Sequence, residues 1–425
     1  MMVFMIVLFL AIMLIGTPVG FAMGALTNIS FGILGGNQSM ISQKLFAGID
    51  TYTYVCILLY ILATDLMTVG GITNAIVKFC EKVVGHIKGG LAHVNILGSM
   101  LFAGLSGSAI ADATGMGPLE IALMTKNGYP RAFSTACTAA SAIIGPIIPP
   151  SNIMIIFAGC IGTVSVGKMF LAGAVPGILL GVTYMLLCYF MAKKYNFPCR
   201  DRRSTLKEIL ISLKETLPAL MLPVIIMGSI TTGICTATES SALAVVYALI
   251  VSLAKRKLTW QKFKGSCIRA ALATSNVLFI IAVSTAMGWA ITTLQVAQAL
   301  AAFCLEFITS KFMFLLFMNI LLLILGTVLD ATPALLLMVP ILWPVAQTYG
   351  IDSIQFGLIM CLNLMIGNLT PPVGMMLFVC SNVGKVRLTE LYRAILPFIA
   401  AAVVTLILVT YVPGFSTFIP NLLMP

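Results

Sequence analysis

The stretch Gly145-Pro-Ile-Ile-Pro-Pro-Ser-Asn152 interrupts an apolar part of the sequence, and Gly367-Asn-Leu-Thr-Pro-Pro-Val-Gly374 interrupts another. In both stretches two adjacent prolines begin four residues after a glycine. Adjacent prolines remove backbone donors and clash with the preceding turn, so each stretch predicts a broken helix. The two glycines are 222 positions apart, which indicates an internal repeat.

Three further pairs of segments support the repeat, because their members are 218 or 219 positions apart. The pairs are 17–24 with 236–243, 59–63 with 278–282, and 111–114 with 329–332. We therefore predict two copies of one unit, residues 1–192 and 216–412, joined by a basic cytoplasmic linker at 193–215. Residues 413–425 are predicted to form a periplasmic tail.

The composition is that of a multi-pass membrane protein. The chain has 425 residues, of which 60% are hydrophobic and only 9% are charged. Soluble proteins carry roughly 25% charged residues. The net charge of +11 fits Lys and Arg collected in short cytoplasmic loops better than it fits nucleic-acid binding, so no nucleic-acid partner is expected. No signal-peptide pattern precedes the first apolar run, and any receptor domain is expected on a separate protein.

Charge placement predicts the topology. Five segments rich in Lys and Arg are assigned to the cytoplasm: 70–89, 126–131, 193–214, 255–269 and 384–393. The turn around Lys44 then lies outside, whereas its equivalent in the second copy, 255–264, lies inside. Equivalent turns on opposite faces make the repeats inverted, which is a recurrent design of secondary transporters. Both termini come out on the periplasmic side.

The predicted fold is an all-α membrane protein of two inverted-topology repeats, with re-entrant helical hairpins and broken helices. The segments of the first repeat are scaffold helices at 1–69, an amphipathic segment at 70–89, a hairpin at 91–126, a broken helix at 130–165 and a helix at 169–192. Those of the second are scaffold helices at 217–289, an amphipathic segment at 293–310, a hairpin at 312–346, a broken helix at 354–383 and a helix at 394–412.

Polar segments at 104–112 and 326–333 mark the tips of the two hairpins. Each lies between apolar arms of about 15 residues, which are too short to span a bilayer alone. Non-helical backbone at membrane depth is tolerated only where protein or water covers it, so the tips are candidate ligand sites. Carbonyl oxygens freed at a tip and a broken helix would suit a sodium ion. The amides near Ser151 and Asn152 would suit a carboxylate.

Four acidic residues fall at membrane depth: Asp65, Asp112, Glu239 and Asp330. Such residues mark functional sites by default. Asp112 is expected to cap the second arm of its hairpin, whereas for Asp330 both a cap and a substrate role stay open. Glu239 follows Thr236 at a helix start, so capping and ion binding are alternatives. Asp65 is a candidate to pair with a polar group of a hairpin.

These motifs resemble the large membrane subunit of the tripartite ATP-independent periplasmic (TRAP) transporter family. The resemblance covers nearly the whole chain and rests on six segments: 85–95, 102–112, 145–151, 233–239, 330–334 and 367–374. Small departures occur outside the hairpin tips and the broken helices, at Thr64-Asp65, Met116-Gly117 and Ser240-Ser241.

The resemblance implies a sodium-coupled importer of carboxylates in the bacterial inner membrane. Its mechanism would be of the elevator type, and its fold similar to the ion-transporter superfamily. Its partners would be a small four-helix membrane subunit, a periplasmic binding protein and the lipid bilayer. The substrate would be a sialic acid, another sugar acid or a C4-dicarboxylate, and two Na⁺ ions would be the only cofactors.

Substrate contacts are expected from the hairpin tips and the start of the helix after the first broken segment, at Ser106, Ser108, Ser151, Asn152, Asp330 and Thr332. Of these, Ser106, Ser151 and Asp330 match positions that line the substrate site in sialic-acid members of the family. The resemblance implies that the first sodium site comprises Ser106, Gly145, Ile148 and Pro150, mostly through main-chain oxygens. The second sodium site would comprise Gly326, Thr327, Gly367, Thr370 and Val373.

Alternative functions differ in partners and chemistry. A stand-alone sodium–carboxylate symporter of similar architecture would need neither a small subunit nor a binding protein. An ion channel is disfavoured because no repeated pore-filter signature occurs. An intramembrane enzyme is a remote alternative, because the HExxH and GxGD motifs are missing and Ser106 has no evident general base.

Overall fold

The computed structural model describes residues 8–9, 11–12, 15–200, 202–308 and 310–424, and over these ranges the regular structure is helical with no strand. The α-helices in chain order are α1 (Val19–Ile33), α2 (Ser39–Ile49), α3 (Val55–Val69), α4 (Ile72–Val84), α5 (Gly90–Ser106), α6 (Ala109–Gly115), α7 (Gly117–Lys126), α8 (Arg131–Ala142), α9 (Asn152–Ile161), α10 (Val166–Tyr195), α11 (Leu206–Thr231), α12 (Ala237–Ala254), α13 (Trp260–Thr293), α14 (Val296–Phe307), α15 (Lys311–Val328), α16 (Ala331–Thr348), α17 (Ser353–Gly367), α18 (Met375–Gly384), α19 (Leu388–Tyr411) and α20 (Gly414–Leu423). The all-α prediction is confirmed.

Eight helical segments of the described ranges are long and apolar enough to cross a bilayer. They are α3 with the 3₁₀ turn before it (Tyr52–Val69), α10, α11, α12, α13, α15, α16 and α19. Shorter apolar helices of 10–17 residues are α1, α5, α9, α17 and α18. The last four belong to the predicted hairpins and broken helices.

Six helices form a first bundle: α1, α2, α3, α11, α12 and α13. Helix α12 packs along α3, and α13 packs against α1, α2 and α3. Hydrogen bonds between distant segments stabilise this bundle. Ser252 Oγ donates to the carbonyl oxygen of Leu66 at 2.8 Å, and the Tyr60 hydroxyl donates to the carbonyl oxygen of Ala237 at 3.1 Å. The guanidinium of Arg269 on α13 donates to both carboxylate oxygens of Asp65 on α3, at 2.6 and 3.0 Å.

The hairpins, the broken helices, α10 and α19 form a second bundle. Within it α8 packs against α5, α7, α18 and α19, while α17 packs against α15, α16 and α19. Elements of the two halves of the chain intermix in this bundle. Helix α18 of the second half packs against α6 of the first hairpin, and α9 of the first half packs against α16 of the second hairpin. Connecting helices link the bundles: α4 runs between α3 and α5, and α14 runs between α13 and α15.

The two bundles meet near the tip of the first hairpin. Thr64 Oγ1 of α3 donates to the carbonyl oxygen of Leu105, and a Cβ on Gly104 would lie 3.0 Å from the ring of Pro223 on α11. The rings of Tyr60 and Phe170 are in edge contact, with centroids 6.3 Å apart. The first bundle therefore touches the backbone just before Ser106.

Several element boundaries differ from the predicted ones. The predicted linker 193–215 is too long, because α10 continues to Tyr195 and α11 already begins at Leu206, where Thr205 and Glu208 form a capping box. Predicted scaffold residues 1–7, 10, 13 and 14 lie outside the described residues. The predicted tail contains helix α20, which packs against α10 and α17. The inverted relation of the halves stays a prediction.

Candidate functional site

The first hairpin turns at Gly107, where α5 ends and α6 begins. Gly107 has φ +57°, which favours glycine, and Ser108 caps α6 by accepting the amide hydrogen of Ala111 over 3.4 Å. The predicted cap at Asp112 is wrong, because Ser108 lies four residues earlier and already occupies the capping position. Ser106 is buried, and its hydroxyl has no hydrogen-bond partner among the described residues.

The tip of the first hairpin lies against the broken helix α8–α9, and we call this contact the first junction. The amide of Asn152 donates to the carbonyl oxygen of Gly107 over 3.4 Å. A Cβ on Gly145 would lie 3.5 Å from the Ser108 carbonyl group, and one on Gly107 would meet the carbonyl oxygen of Pro150. The predicted site residues Ser108 and Gly145, which are distant in sequence, are therefore brought into contact.

Helix α9 begins at Asn152 after the cis peptide Pro149-Pro150. Ser151 is its N-cap, and the Ser151 hydroxyl accepts the amide of Met154 over 3.4 Å and donates to the carbonyl oxygen of Pro146. Since Asn152 donates to Gly107 and Met154 donates to the cap, the amide of Ile153 is the one in this first turn that no described acceptor pairs, and it can interact with a negatively charged group.

The second junction joins the tip between α15 and α16 to the broken helix α17–α18. The amide of Gly374 donates to the carbonyl oxygen of Thr327 at 2.9 Å, which matches the bond between Asn152 and Gly107. A Cβ on Gly326 would lie 2.9 Å from the Cα of Gly367, so the two backbones meet without side chains between them. Pro371-Pro372 is again a cis peptide.

Asp330 belongs to the second junction. It occupies the N-cap position of α16 without a side-chain cap, and its Oδ1 accepts a hydrogen bond from Asn368 Nδ2 at 3.0 Å. Asp330 therefore holds the capping position, while its carboxylate bonds to Asn368 and remains a candidate for the substrate role. Asn368 was not singled out from the sequence, although it directly follows Gly367 in the motif. Thr332 is half-buried in the first turn of α16, and α16 packs against α9.

Main-chain oxygens at both junctions lack hydrogen-bond partners. Among the described residues no donor reaches the carbonyl oxygens of Gly145, Ile148 or Pro150 at the first junction. The same holds for Gly326, Thr370 and Val373 at the second junction, whereas the oxygens of Thr327 and Gly367 accept amides. Free carbonyl oxygens held by irregular backbone are suitable ligands for Na⁺, so the predicted residues fit this ion.

Asparagines fasten each hairpin to its neighbouring broken helix. Asn95 of α5 donates to Thr138 Oγ1 at 2.7 Å and accepts from Ser141 Oγ at 2.7 Å, and both partners are on α8. In the second half, Asn363 of α17 donates to Asn319 Oδ1 of α15 at 2.7 Å. These buried bonds hold the arms that carry the two tips.

Other acidic residues at membrane depth play different parts. Glu239 Oε2 accepts the amide of Thr236 at 2.8 Å while Thr236 Oγ1 accepts that of Glu239, so the capping interpretation is confirmed. Asp65 pairs with Arg269 within the first bundle, which corrects the expectation of a hairpin partner.

Asp112 and Glu120 are buried on the first hairpin, and none of their carboxylate oxygens has a hydrogen-bond partner among the described residues. Glu120 was missed in the sequence.

Comparisons with solved structures place the fold among membrane transporters. The chain superposes on the YdaH transporter of Alcanivorax borkumensis with a TM-score of 0.62 and 11% identity, over 89% of this chain and 89% of that chain. MtrF of Neisseria gonorrhoeae, from a class of antimetabolite efflux pumps, matches with a TM-score of 0.54 and 13% identity, over 87% of this chain and 83% of that one. At these identities the similarity concerns the fold alone.

Sequence comparisons identify the family. The chain is 40% identical over 421 residues to the sialic acid TRAP transporter large permease protein SiaM of Vibrio cholerae, covering 98% of this chain and 97% of the relative. It is 39% identical over 399 residues to the C4-dicarboxylate TRAP transporter large permease protein DctM of Pseudomonas aeruginosa, covering 94% and 92%. Residues 6–415 match the model of the tripartite ATP-independent periplasmic transporter DctM component. The chain therefore belongs to the DctM family of TRAP transporter large permeases.

Proposed function

We propose that this chain is the membrane subunit of a sodium-coupled importer that carries an organic acid through the second bundle. The observation that carries the proposal is the pair of junctions, each of which offers main-chain oxygens without hydrogen-bond partners. Relatives that transport sialic acid and C4-dicarboxylates support an organic acid as substrate.

The two junctions would have similar cation sites but different roles toward the substrate. At the first, the oxygens of Ser106, Gly145, Ile148 and Pro150 would hold one Na⁺. At the second, those of Gly326, Thr327, Gly367, Thr370 and Val373 would hold the other. Bound Na⁺ supplies positive charge that no Lys or Arg side chain supplies at these loops.

The substrate carboxylate would lie at the start of α9, near Ser106, Ser108, Ser151 and Asn152, where the Ile153 amide and the positive end of the helix dipole favour an anion. Asp330 and Thr332 would approach the substrate from the other half of the chain, on helix α16, which packs against α9. A carboxylate such as Asp330 is suited to accept hydrogen bonds from substrate hydroxyl groups. This chemistry favours a sugar acid over a dianion.

Transport would follow an elevator mechanism in which the second bundle moves against the first. The connecting helices α4 and α14 would allow this movement, because each links one bundle to the other. The chain would reside in the bacterial inner membrane with periplasmic termini. A small four-helix membrane subunit would accompany it, and a periplasmic binding protein would deliver the substrate.

Reconstitution of the complete transporter in proteoliposomes tests the proposal. We expect uptake of the organic acid to require an inward sodium gradient, and full uptake under a proton gradient alone would refute sodium coupling. Asp330→Ala should abolish uptake while the protein stays folded. Asp352→Asn is the matched control, because Asp352 only caps α17, and it should transport normally. Uptake by this chain alone would favour the stand-alone symporter.

A further inference from the structure

A groove of about 340 Å³ opens at the start of α4, beside α11 and the turn between α12 and α13. Its polar lining comprises Asn74, Lys78, Glu215, Lys255 and Lys257. The segments 70–89 and 255–269, which charge placement assigns to the same side of the membrane, therefore meet in one concave surface. None of its described lining residues belongs to either junction.

Positive charge converges on the groove from two sources. The N-cap of α4 is Gly71, which has φ +76° and offers no side-chain cap, so the first amides of this helix stay available. A Cβ on Gly71 would collide with Lys257 Nζ, which shows that the ammonium group lies over the start of the helix. The positive end of the helix dipole and a lysine are thus adjacent.

No described carboxylate neutralises these cations directly. Within the described ranges the ion pairs between side chains are Arg202–Glu208 and Arg269–Asp65, and neither involves a lysine of the groove. Among the described residues that line the groove, Glu215 alone is acidic. Partial burial and the neighbouring Lys257 lower the pKa of Lys255, an effect that Glu215 partly opposes. Such a concentration of unpaired positive charge favours an anionic ligand.

The position of the groove identifies the kind of anion. Helix α12 ends at Ala254, directly before Lys255, and its last turns expose the apolar side chains of Ile250 and Leu253. The lysines therefore lie where the apolar, membrane-facing surface ends, at the depth of lipid headgroups. Basic pockets between membrane helices on the cytoplasmic side bind phosphate headgroups.

We propose that this groove binds a phosphate group, supplied by the headgroup of an anionic phospholipid. Lys78, Lys255 and Lys257 contact its oxygens together with the first amides of α4. The bound headgroup holds the start of this connecting helix to the first bundle, beside the hydrogen bond of 3.0 Å from Thr216 Oγ1 to the carbonyl oxygen of Ala75. Free phosphate from solution is the other source of the same chemistry.

Native mass spectrometry of the delipidated full-length protein tests this site. Phosphatidylglycerol, phosphatidylcholine and inorganic phosphate are the probes, and bound lipid is counted at increasing lipid concentration. The test variant is Lys78→Gln with Lys257→Gln. The matched control is Lys214→Gln with Lys264→Gln, which removes the same charge from exposed positions outside the groove. All four lysines are exposed, so both variants should fold.

We expect the test variant to bind phosphatidylglycerol about thirtyfold more weakly than the wild type, and the control to bind it about equally well. Phosphatidylcholine should bind weakly to all three. Displacement of phosphatidylglycerol by millimolar inorganic phosphate would support the site with a soluble source of phosphate. Equal losses in both variants, or equal binding of both lipids by the wild type, would overturn the proposal.

Discussion

Replacing Gly107 by Ala tests whether the first junction depends on close contact between backbones. Gly107 has φ +57°, and an alanine Cβ would meet the carbonyl oxygen of Pro150 and lie 3.4 Å from Ser151 Cα. The left-handed conformation costs alanine about 1 kcal/mol. Displacement of the packed loop costs about 1–3 kcal/mol more. We therefore expect the free energy of unfolding to fall by about 2–4 kcal/mol.

Gly162→Ala is a matched control for this substitution. Gly162 has φ +74° and ends α9, but a Cβ there would meet nothing within 4 Å. The free energy of unfolding of the Gly162→Ala variant should fall only by the conformational cost of about 1 kcal/mol, and the variant should transport normally. Unfolding in detergent micelles gives the stabilities, and sodium-driven uptake into proteoliposomes gives the function. If Gly107→Ala matched Gly162→Ala in both measurements, the tip and the loop would not need to touch.

Three other substitutions separate structural from functional acids. Glu239→Ala should lower the melting temperature slightly and leave the sodium dependence of uptake unchanged, because Glu239 caps α12; a changed sodium dependence would contradict this. Arg269→Gln should lower the free energy of unfolding by at most about 1 kcal/mol, and adding Asp65→Asn should lower it little further, since each substitution removes the same ion pair. Additive losses in a double-mutant cycle would exclude coupling between the two residues. Glu120→Gln should change the unfolding free energy by less than about 1 kcal/mol, because neither oxygen loses a hydrogen bond; a larger loss would reveal a partner.

Local signals in the sequence predicted most of the architecture. Adjacent prolines identify both broken helices, since a proline pair acts on the backbone within one turn. The polar segments around Ser106 and Gly326 identify the hairpin tips for a similar reason. Each feature depends on residues close together in the chain, so a single sequence suffices to find it.

Pairings between distant residues could not be predicted. Arg269 lies 204 positions from Asp65, and nothing near either residue indicates the other. Asn368 and Asp330 come from different elements, and their contact depends on the approach of two helices at Gly326 and Gly367. The error at Asp112 was local, because the helix begins at Ala109 with Ser108 as its N-cap, which places Asp112 inside its first turn.

The packing of α9 and α18 against hairpins of the opposite half of the chain has a consequence for biosynthesis. Helix α18 covers part of the first hairpin, yet it is made about 260 residues later than that hairpin's second arm. A ribosome that has released only the first half leaves α6 and α8 without this neighbour, and with it part of the cover over Asp112. The second bundle therefore stays incomplete until residue 384 emerges, and we expect a chain truncated before α18 to leave this face of the first hairpin uncovered.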